Sequence, residues 1–205
     1  MEPIKEIKYK GYRIEINYDE NPESPREWDN LGTIYSNHSR YDFDGHKIEE
    51  LIQDVDGNIY DCVIPWNLIG KKYFYLKVWM YDHSGVTICT GERNPYGMWD
   101  SGLYGVIVCD IEKAKKEYSY KRNCKGLREK VYKYLEGEIK DLNTYLTGEV
   151  YCYRTYKGND TEEEIDSCYG YYDMEQLIED AKDIVDYEIK RQYGDSLFPN
   201  YEEAE

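Results

Sequence analysis

The stretch Tyr73-Phe-Tyr-Leu-Lys-Val-Trp-Met-Tyr81 is followed by a turn, Asp82-His-Ser-Gly85, and by a second apolar run, Val86–Thr90. Two runs rich in aromatic and β-branched residues around a short glycine-containing turn are typical of a β-hairpin. A third strongly apolar run, Leu103–Cys109, predicts another strand, and it leads into a helix with Asp110 as its N-cap. This part of the chain therefore predicts an antiparallel sheet with a helix attached.

The segments before this hairpin give weaker signals. Residues 4–18 alternate polar and apolar side chains with a break at Gly11, which predicts an opening hairpin. Residues 21–44 are rich in turn-forming residues and predict a long loop with a short strand at Thr33–Tyr35. A loop of this length inside a compact domain is usually functional or pinned by partners. Residues 46–55 then follow helical spacing.

Two long amphipathic helices follow towards the C-terminus, with a predicted hairpin of Glu149–Tyr156 and Ile165–Tyr171 between them. In the first helix, helical spacing predicts a buried stripe of Leu127, Val131, Tyr134, Leu135, Ile139 and Leu142. In the second helix, the predicted stripe is Met174, Leu177, Ile178, Ala181, Ile184, Val185 and Ile189. Asp173 is the predicted N-cap of this helix, Gln176 completes a capping box, and Gly194 ends it.

This order of strands, helices, hairpin and helix predicts an α+β fold. We expect a single domain over residues 1–195, with an antiparallel sheet of hairpins and the two long amphipathic helices packed on one face. Residues 196–205 are expected to form a loose acidic tail. No apolar run approaches the roughly 20 residues that a membrane span requires, and the first residues do not have a signal-peptide pattern. We therefore expect no membrane association and a location in the cytosol.

The formal net charge of −16 is distributed unevenly along the chain. Residues 159–205 contain 16 acids and 3 bases, whereas residues 113–133 contain 9 bases and 2 acids. The second amphipathic helix places six carboxylates opposite its apolar stripe: Glu175, Glu179, Asp180, Asp183, Asp186 and Glu188. A carboxylate array on a rigid helix imitates duplex DNA, which carries one charge per roughly 1.7 Å of axis. The array predicts a surface that occupies the basic cleft of a nuclease, although an acidic solubilising surface explains the same residues.

Two other groups of residues give alternative predictions. Three loops combine tryptophan rings with carboxylates and a titratable histidine, which predicts a ligand-binding or active site formed by Arg26, Trp28, Asp29, Asn30, Asp82, His83, Trp99 and Asp100. The same residues would also suit a structural role, with Arg26 bridging carboxylates and each tryptophan capping the core. The basic stretch Lys113–Lys133, with three interleaved tyrosines, is typical of a nucleic-acid surface, and equally of a solvated helix face.

The usual signatures of catalytic and metal sites are absent from the sequence. The six cysteines and three histidines lack metal-site spacing. There is no phosphate-binding Gly-Lys-Ser/Thr and no Gly-x-Ser-x-Gly nucleophile elbow. We therefore expect no metal, no cofactor and no enzymatic activity.

Three motifs carry a resemblance to known proteins: Ser24-Pro-Arg-Glu-Trp-Asp-Asn30, Tyr81-Asp-His-Ser-Gly85 and Trp99-Asp-Ser-Gly102. Together they resemble a family of uncharacterised accessory proteins of bacteriophages, prophages and plasmids of gut bacteria, over nearly the whole chain. The resemblance implies no catalytic residues. It implies a class of genes that is enriched in inhibitors of host defence, including anti-restriction and anti-CRISPR proteins. The resulting hypothesis is a non-catalytic inhibitor that binds a host defence nuclease, or its nucleoprotein complex, through an acidic DNA-mimicking surface.

Overall fold

The strands form two separate antiparallel sheets in the computed structural model, which describes residues 2–56, 64–97, 99–158 and 163–193. The strands are β1 (Lys5–Tyr9), β2 (Tyr12–Tyr18), β3 (Thr33–Ser36), β4 (Tyr73–Asp82), β5 (Val86–Thr90), β6 (Ser101–Asp110), β7 (Tyr151–Lys157) and β8 (Glu164–Tyr171). The helices are α1 (Ile48–Asp56), α2 (Trp66–Lys72), α3 (Ile111–Glu117), α4 (Lys125–Thr147) and α5 (Met174–Tyr193), and a 3₁₀ turn spans Pro25–Glu27. The predicted helix end at Gly194 and the predicted tail over 196–205 lie outside the described residues.

The chain divides into two compact units, and each unit has its own sheet and its own long helix. The first unit combines Met1–Glu23 with Gly148–Glu205, and the second unit is Ser24–Thr147. The predicted α+β class and the antiparallel strands are confirmed. The predicted packing of both long helices on one face of a sheet is not confirmed, because α4 packs on the sheet of the second unit and α5 on the sheet of the first.

The first unit is a four-stranded sheet in the order β1-β2-β7-β8, with α5 on one face. The predicted opening hairpin is confirmed, and its turn places Lys10 and Gly11 at φ values of 49° and 82°. Positive φ at both central residues is what a type I′ hairpin turn requires. Alternate residues of β2 face the helix, and the buried core of this unit consists of Tyr12, Ile14, Ile16, Tyr153, Leu177, Ala181 and Val185.

The second unit is built around β6, which pairs with β3 on one side and with β4 on the other in a sheet ordered β3-β6-β4-β5. Residues 104–109 of β6 are buried without interruption. Ile107 packs with the α4 side of the core, whereas Val106 and Val108 pack with Leu51 of α1 and Ile69 of α2. Both faces of this strand are therefore covered, which explains why its sequence is a continuous apolar run and not an alternating one.

Several local predictions are confirmed and one is wrong. Asp110 caps α3 by accepting from the backbone N–H groups of Glu112 and Lys113 at 2.7 and 3.0 Å. Asp173 caps α5 in the same way. The predicted capping box is wrong, because the side-chain amide of Gln176 donates to Asp180 at 2.7 Å within the helix. The Gln176 side chain therefore points along the helix, and Asp173 caps the helix without it.

Helix α2 is absent from the sequence-based prediction. It spans only seven residues, and Pro65, which stands at its N-cap position, makes no side-chain capping hydrogen bond. A short helix without a capping residue gives little local signal, because nucleation is costly and tertiary packing supplies most of the stability. Here that packing is the burial of Ile69 against β6.

Helix α4 deviates from its predicted stripe at two positions. Leu127, Val131, Leu135, Ile139 and Leu142 are buried, as predicted. Tyr134 is 45% exposed, so its predicted place in the core is wrong, and Glu138 is buried although it carries a charge. The core stripe is thus narrower than the sequence suggests, and an acidic side chain occupies part of it.

The close approach of β3 to β6 depends on a glycine. Gly105 pairs with Ser36, and a Cβ built at Gly105 would lie 2.1 Å from the backbone oxygen of Tyr35. Ser36 also donates from Oγ to the carbonyl of Tyr104 at 2.6 Å, which holds β3 at this distance. A side chain at position 105 therefore has to push a backbone away, and no flexible group can yield in its place.

We predict that Gly105→Ala lowers the free energy of unfolding by about 3 kcal/mol, because the added methyl group forces β3 off its partner strand. The matched control is Gly102→Ala on the same strand, where a Cβ would meet nothing within 4 Å. We expect this control to stay within about 0.5 kcal/mol of the parent. Urea unfolding of the three proteins checks the prediction, and equal midpoints for both variants would contradict it.

Candidate functional site

Helix α5 presents an acidic row to solvent because its opposite side is buried. Leu177, Ala181 and Val185 are fully buried against the sheet of the first unit. Glu175, Glu179, Asp183 and Tyr187 recur at intervals of four residues on the other side, and all four are exposed. Successive members of this row are about 6 Å apart along the helix axis. The three carboxylates make no ion pair with a described residue, so their charge faces the solvent.

The other three predicted carboxylates of α5 are engaged inside the first unit. Asp180 accepts hydrogen bonds from the Tyr171 hydroxyl at 3.0 Å and from the side-chain amide of Gln176 at 2.7 Å. Asp186 accepts from Nζ of Lys10 at 2.8 Å and raises the pKa of that lysine. These two acids link the helix to β8 and to the first hairpin.

The carboxylate of Glu188 is also poorly placed to contact a partner protein. Only 9% of the residue is exposed, and its Oε1 accepts from Arg191 at 2.8 Å and from Gln192 at 2.7 Å. The hydrogen bond from Arg191 lowers the pKa of this carboxyl. The predicted array of six carboxylates therefore divides into an exposed row of three and a structural set of three.

The negative charge of the chain is concentrated in the first unit. That unit has 23 acids and 9 bases, a formal net charge of −14. The second unit has 19 acids and 17 bases, a formal net charge of −2. Exposed tyrosines accompany the acids of the first unit: Tyr18, Tyr169 and Tyr187 are each at least half exposed. The acidic row thus lies in a unit whose whole charge favours a basic partner.

The eight residues of the predicted Trp-Asp site fall into two groups at opposite ends of β6. One group precedes Thr33, which pairs with Val108, and the other adjoins Tyr81, which pairs with Ser101. The seven residue steps from Ser101 to Val108 correspond to about 23 Å of strand. The structure therefore does not bring the eight residues together in one place, and each group has to be considered separately.

Arg26 is part of a buried ion network. Its Nε and Nη2 donate to the two carboxylate oxygens of Asp44 at 2.8 and 2.7 Å, and its Nη1 donates to Glu138 at 2.8 Å. Burial disfavours the charge of this guanidinium, but the hydrogen bonds to Asp44 and Glu138 outweigh that cost and raise the pKa of Arg26. Arg26 thus has the bridging role that the sequence offered as an alternative to ligand binding.

The same carboxylates hold the backbone of the surrounding segment. Glu138 Oε1 accepts from the N–H groups of Leu31 and Gly32 at 2.8 and 2.9 Å, and Asp44 accepts from the N–H of Ile34 at 2.7 Å. Nζ of Lys113 donates to the carbonyls of Asn30 and Leu31 at 3.1 and 2.9 Å. Segment 24–34 is therefore fixed to α4 although its residues 28–32 belong to no helix or strand.

Trp28, Asp29 and Asn30 of this fixed segment form one wall of a groove of about 480 Å³ on the surface of the second unit. The opposite wall is one face of α4, with Lys130, Lys133, Tyr134 and Asp141. Tyr118, at the end of α3, completes the lining. The volume falls within the range of about 300–1,000 Å³ that is typical of small-molecule sites.

Gly137 forms part of the groove floor in the middle of α4. Among the described residues, nothing outside the local helix backbone lies within 4 Å of the position where its Cβ would be. A glycine inside a helix costs about 1 kcal/mol relative to alanine. Packing does not require this glycine, so its effect is to lower helix stability and to leave the groove floor open.

The second group of predicted site residues lies in exposed turns. Nδ1 of His83 is 3.0 Å from a carboxylate oxygen of Asp100, and Arg40 donates to Asp82 at 3.3 Å. Trp99 is 86% exposed. More than half of the His83 side chain is exposed, and among the described residues neither His83 nor Asp100 forms a hydrogen bond with a serine, threonine or cysteine side chain. These residues link the exposed turns to one another through ion pairs.

The basic stretch Lys113–Lys133 contributes to the groove through few of its residues. Lys113 is committed to the loop backbone, and Lys115 pairs with Glu112 at 2.6 Å. Lys130 lies over the rings of Tyr118 and Tyr120, at 5.8 and 5.4 Å from their centroids. Lys130 and Lys133 are exposed and line the groove. A ligand in the groove could therefore contact these two cations and the aromatic rings of the lining at the same time.

Part of this site could be predicted from the sequence. The Trp-Asp motifs predict Trp28, Asp29 and Asn30 as site residues, whereas helical spacing places Tyr134 in the core and does not mark Glu138. A charged residue at position 138, three residues after Leu135 and four before Leu142, is the one signal that predicts a buried ion pair there. Its arginine partner is 112 residues away, which sequence spacing alone does not show.

Comparison with the models of known protein families, with curated proteins and with solved structures finds no match to this chain. Within the described ranges, no three or more histidine, cysteine, aspartate or glutamate side chains come together as a metal ion would need. None of the described helices combines the length and the apolar character needed to cross a bilayer.

We predict that Arg26→Ala lowers the free energy of unfolding of the second unit by about 3–5 kcal/mol, because Asp44 and Glu138 remain buried without their counter-charge. The matched control is Arg40→Ala, which removes an exposed arginine from an ion pair with Asp82 and should cost less than about 1 kcal/mol. Thermal and urea unfolding of both variants check this prediction. Equal losses of unfolding free energy in the two variants would show that the buried network contributes no more to stability than the exposed ion pair.

Proposed function

We propose that this protein is a non-catalytic accessory protein of a phage or another mobile element, which binds a basic partner in the bacterial cytosol. The proposed partner is a host defence nuclease, of a restriction or CRISPR system, or its nucleoprotein complex. The observation that carries the proposal is the exposed row of Glu175, Glu179 and Asp183 on a rigid helix within a unit of net charge −14. The resemblance to mobile-element proteins supports the choice of partner.

The spacing of the carboxylates in the row determines in what way the protein can imitate nucleic acid. Its three charges are about 6 Å apart along the helix, whereas duplex DNA carries a charge every 1.7 Å or so. The row alone is therefore too sparse to copy a phosphate backbone. We propose that the protein competes with nucleic acid by its charge, with the surrounding exposed acids of the first unit contributing, and not by reproducing phosphate positions.

Tyr187 extends the acidic row by one more turn and is 66% exposed. Tyrosine offers a large contact area with few rotatable bonds, and it is enriched among residues that dominate binding energy at interfaces. In the proposed complex the carboxylates speed association and set its salt dependence, while this ring supplies an anchor. Tyr187→Ala should therefore increase the dissociation rate more than it lowers the association rate.

We predict that reversing the row with Glu175→Lys, Glu179→Lys and Asp183→Lys weakens binding to the partner at least tenfold, because attraction to a basic cleft becomes repulsion. The tagged protein is used to recover the partner from the lysate of a bacterium with restriction and CRISPR systems, at low and high salt. The recovered nuclease is then assayed for DNA cleavage in the presence of each variant.

The matched control reverses three exposed acids of the same unit that lie off α5: Glu6, Glu20 and Glu164. It changes the net charge by the same amount, so it separates the row from the overall charge. Asp180 and Asp186 are left intact, since their hydrogen bonds hold the unit together. Equal inhibition by the row variant and the parent, or binding that does not weaken with salt, would refute the proposal.

A further inference from the structure

The groove between segment 24–34 and α4 combines aromatic rings, two exposed ammonium groups and carboxylates in one place. We propose that it binds a nucleotide, with the base against Trp28 and Tyr134 and the phosphate on Lys130 and Lys133. This inference concerns the second unit alone. It does not depend on the acidic row of α5, and the two proposals can fail separately.

The aromatic side chains are the first reason. Trp28 is 41% exposed and Tyr134 is 45% exposed, and they lie on the two walls of the same groove. Each ring therefore keeps a large exposed area, against which a planar ligand in the groove can pack. Stacking of a base on an aromatic side chain changes affinity by about 5–150-fold per base and accepts any base, because every base has a π-face.

The cations are the second reason. Lys130 and Lys133 lie one turn apart on the groove side of α4, and both are exposed. The rings of Tyr118 and Tyr120 lie under the Lys130 ammonium and restrict where it can go. Charges farther away than the Debye length of about 10 Å at 0.1 M salt are largely screened. The two ammonium groups can therefore attract a phosphate even though the chain as a whole is acidic.

The carboxylates select among anions. Both carboxylate oxygens of Glu138 accept hydrogen bonds from Arg26, Leu31 and Gly32. Glu138 therefore holds the groove wall in place and does not bind the ligand. Asp29 is exposed at the rim, and Asp141 is half-buried. Carboxylates in the same lining disfavour a simple anion and favour a ligand that also donates hydrogen bonds. The amino and imino groups of a nucleobase are such donors.

The shape of the groove is the third reason, because it exists before any ligand arrives. The hydrogen bonds of Glu138 and Lys113 fix the backbone of residues 30–32, and Asn30 donates from Nδ2 to the carbonyls of Pro25 and Trp28 at 2.8 and 2.9 Å. Gly137 keeps the floor open. A preformed site does not have to order its own loops on binding, which raises affinity.

The test uses the full chain and four nucleoside 5′-monophosphates, together with a single-stranded deoxyoligonucleotide of ten nucleotides, in isothermal titration calorimetry at two salt concentrations. We expect saturable binding that Trp28→Ala weakens at least fivefold. The matched control is Trp99→Ala, which removes a tryptophan that is 86% exposed and does not line the groove. This control should bind like the parent.

Two further pairs of variants test the floor and the cations. Gly137→Leu should abolish binding by filling the floor, whereas Gly137→Ala should retain binding and raise the midpoint of thermal unfolding by a few degrees. Lys130→Gln with Lys133→Gln should weaken binding and flatten its salt dependence. The control, Lys125→Gln with Lys140→Gln, removes two exposed lysines of α4 that do not line the groove and should change neither.

Comparison of the monophosphates with the oligonucleotide distinguishes the source of the nucleotide. An oligonucleotide that binds no tighter than a monophosphate identifies a free nucleotide as the ligand, and one that binds more than tenfold tighter identifies a single strand. Either result supports the site. The absence of binding of any of these ligands at 1 mM, or an equal effect of Trp28→Ala and Trp99→Ala, would overturn the proposal whatever the outcome for the acidic row.

Discussion

The second unit depends on the buried ion network around the guanidinium of Arg26. Its donors meet Asp44 and Glu138, and these two carboxylates in turn accept from three backbone N–H groups of segment 24–34. Buried backbone groups need partners, and this segment has no neighbouring strand to supply them before Thr33. A buried ion pair is often no more stabilising than an apolar substitute, so we infer that its main effect is to fix one path for the chain.

The path of segment 24–34 determines what lies against two sides of helix α4. One side supplies the core through residues such as Leu135 and Ile139, and Gly32 approaches it so closely that an added Cβ would lie 2.6 Å from Leu135. The adjoining side lines the groove because the fixed segment stands beside it and does not cover it. The first unit uses its own long helix differently: α5 buries one side, ties three acids to neighbouring residues and leaves a row of charge in solvent. The two proposed binding functions thus come from two helices in two units.

Much of the fold could be predicted because its signals are local. The period of two in β2, the apolar runs of β4 and β6, and the caps Asp110 and Asp173 are visible within a few residues. The exposure of Glu175, Glu179 and Asp183 follows from helical periodicity alone. The remainder depends on pairs far apart in the chain: Asp186 meets Lys10 across 176 residues, and Glu138 meets Arg26 across 112. No spacing rule finds such pairs, so neither the structural role of Asp186 nor the groove beside Arg26 could be predicted.

The central structural claim is that segment 24–34 is held rigidly by buried carboxylates, so that the groove wall is preformed. Native-state hydrogen exchange, read residue by residue by NMR, tests it most directly at the backbone N–H groups of Leu31, Gly32 and Ile34. We predict that these amides exchange as slowly as those of β6, because opening them requires breaking the Arg26 network. Exchange of Leu31 and Gly32 at the rate of exposed loop amides, with β6 still protected, would show that the segment opens locally and would contradict this account.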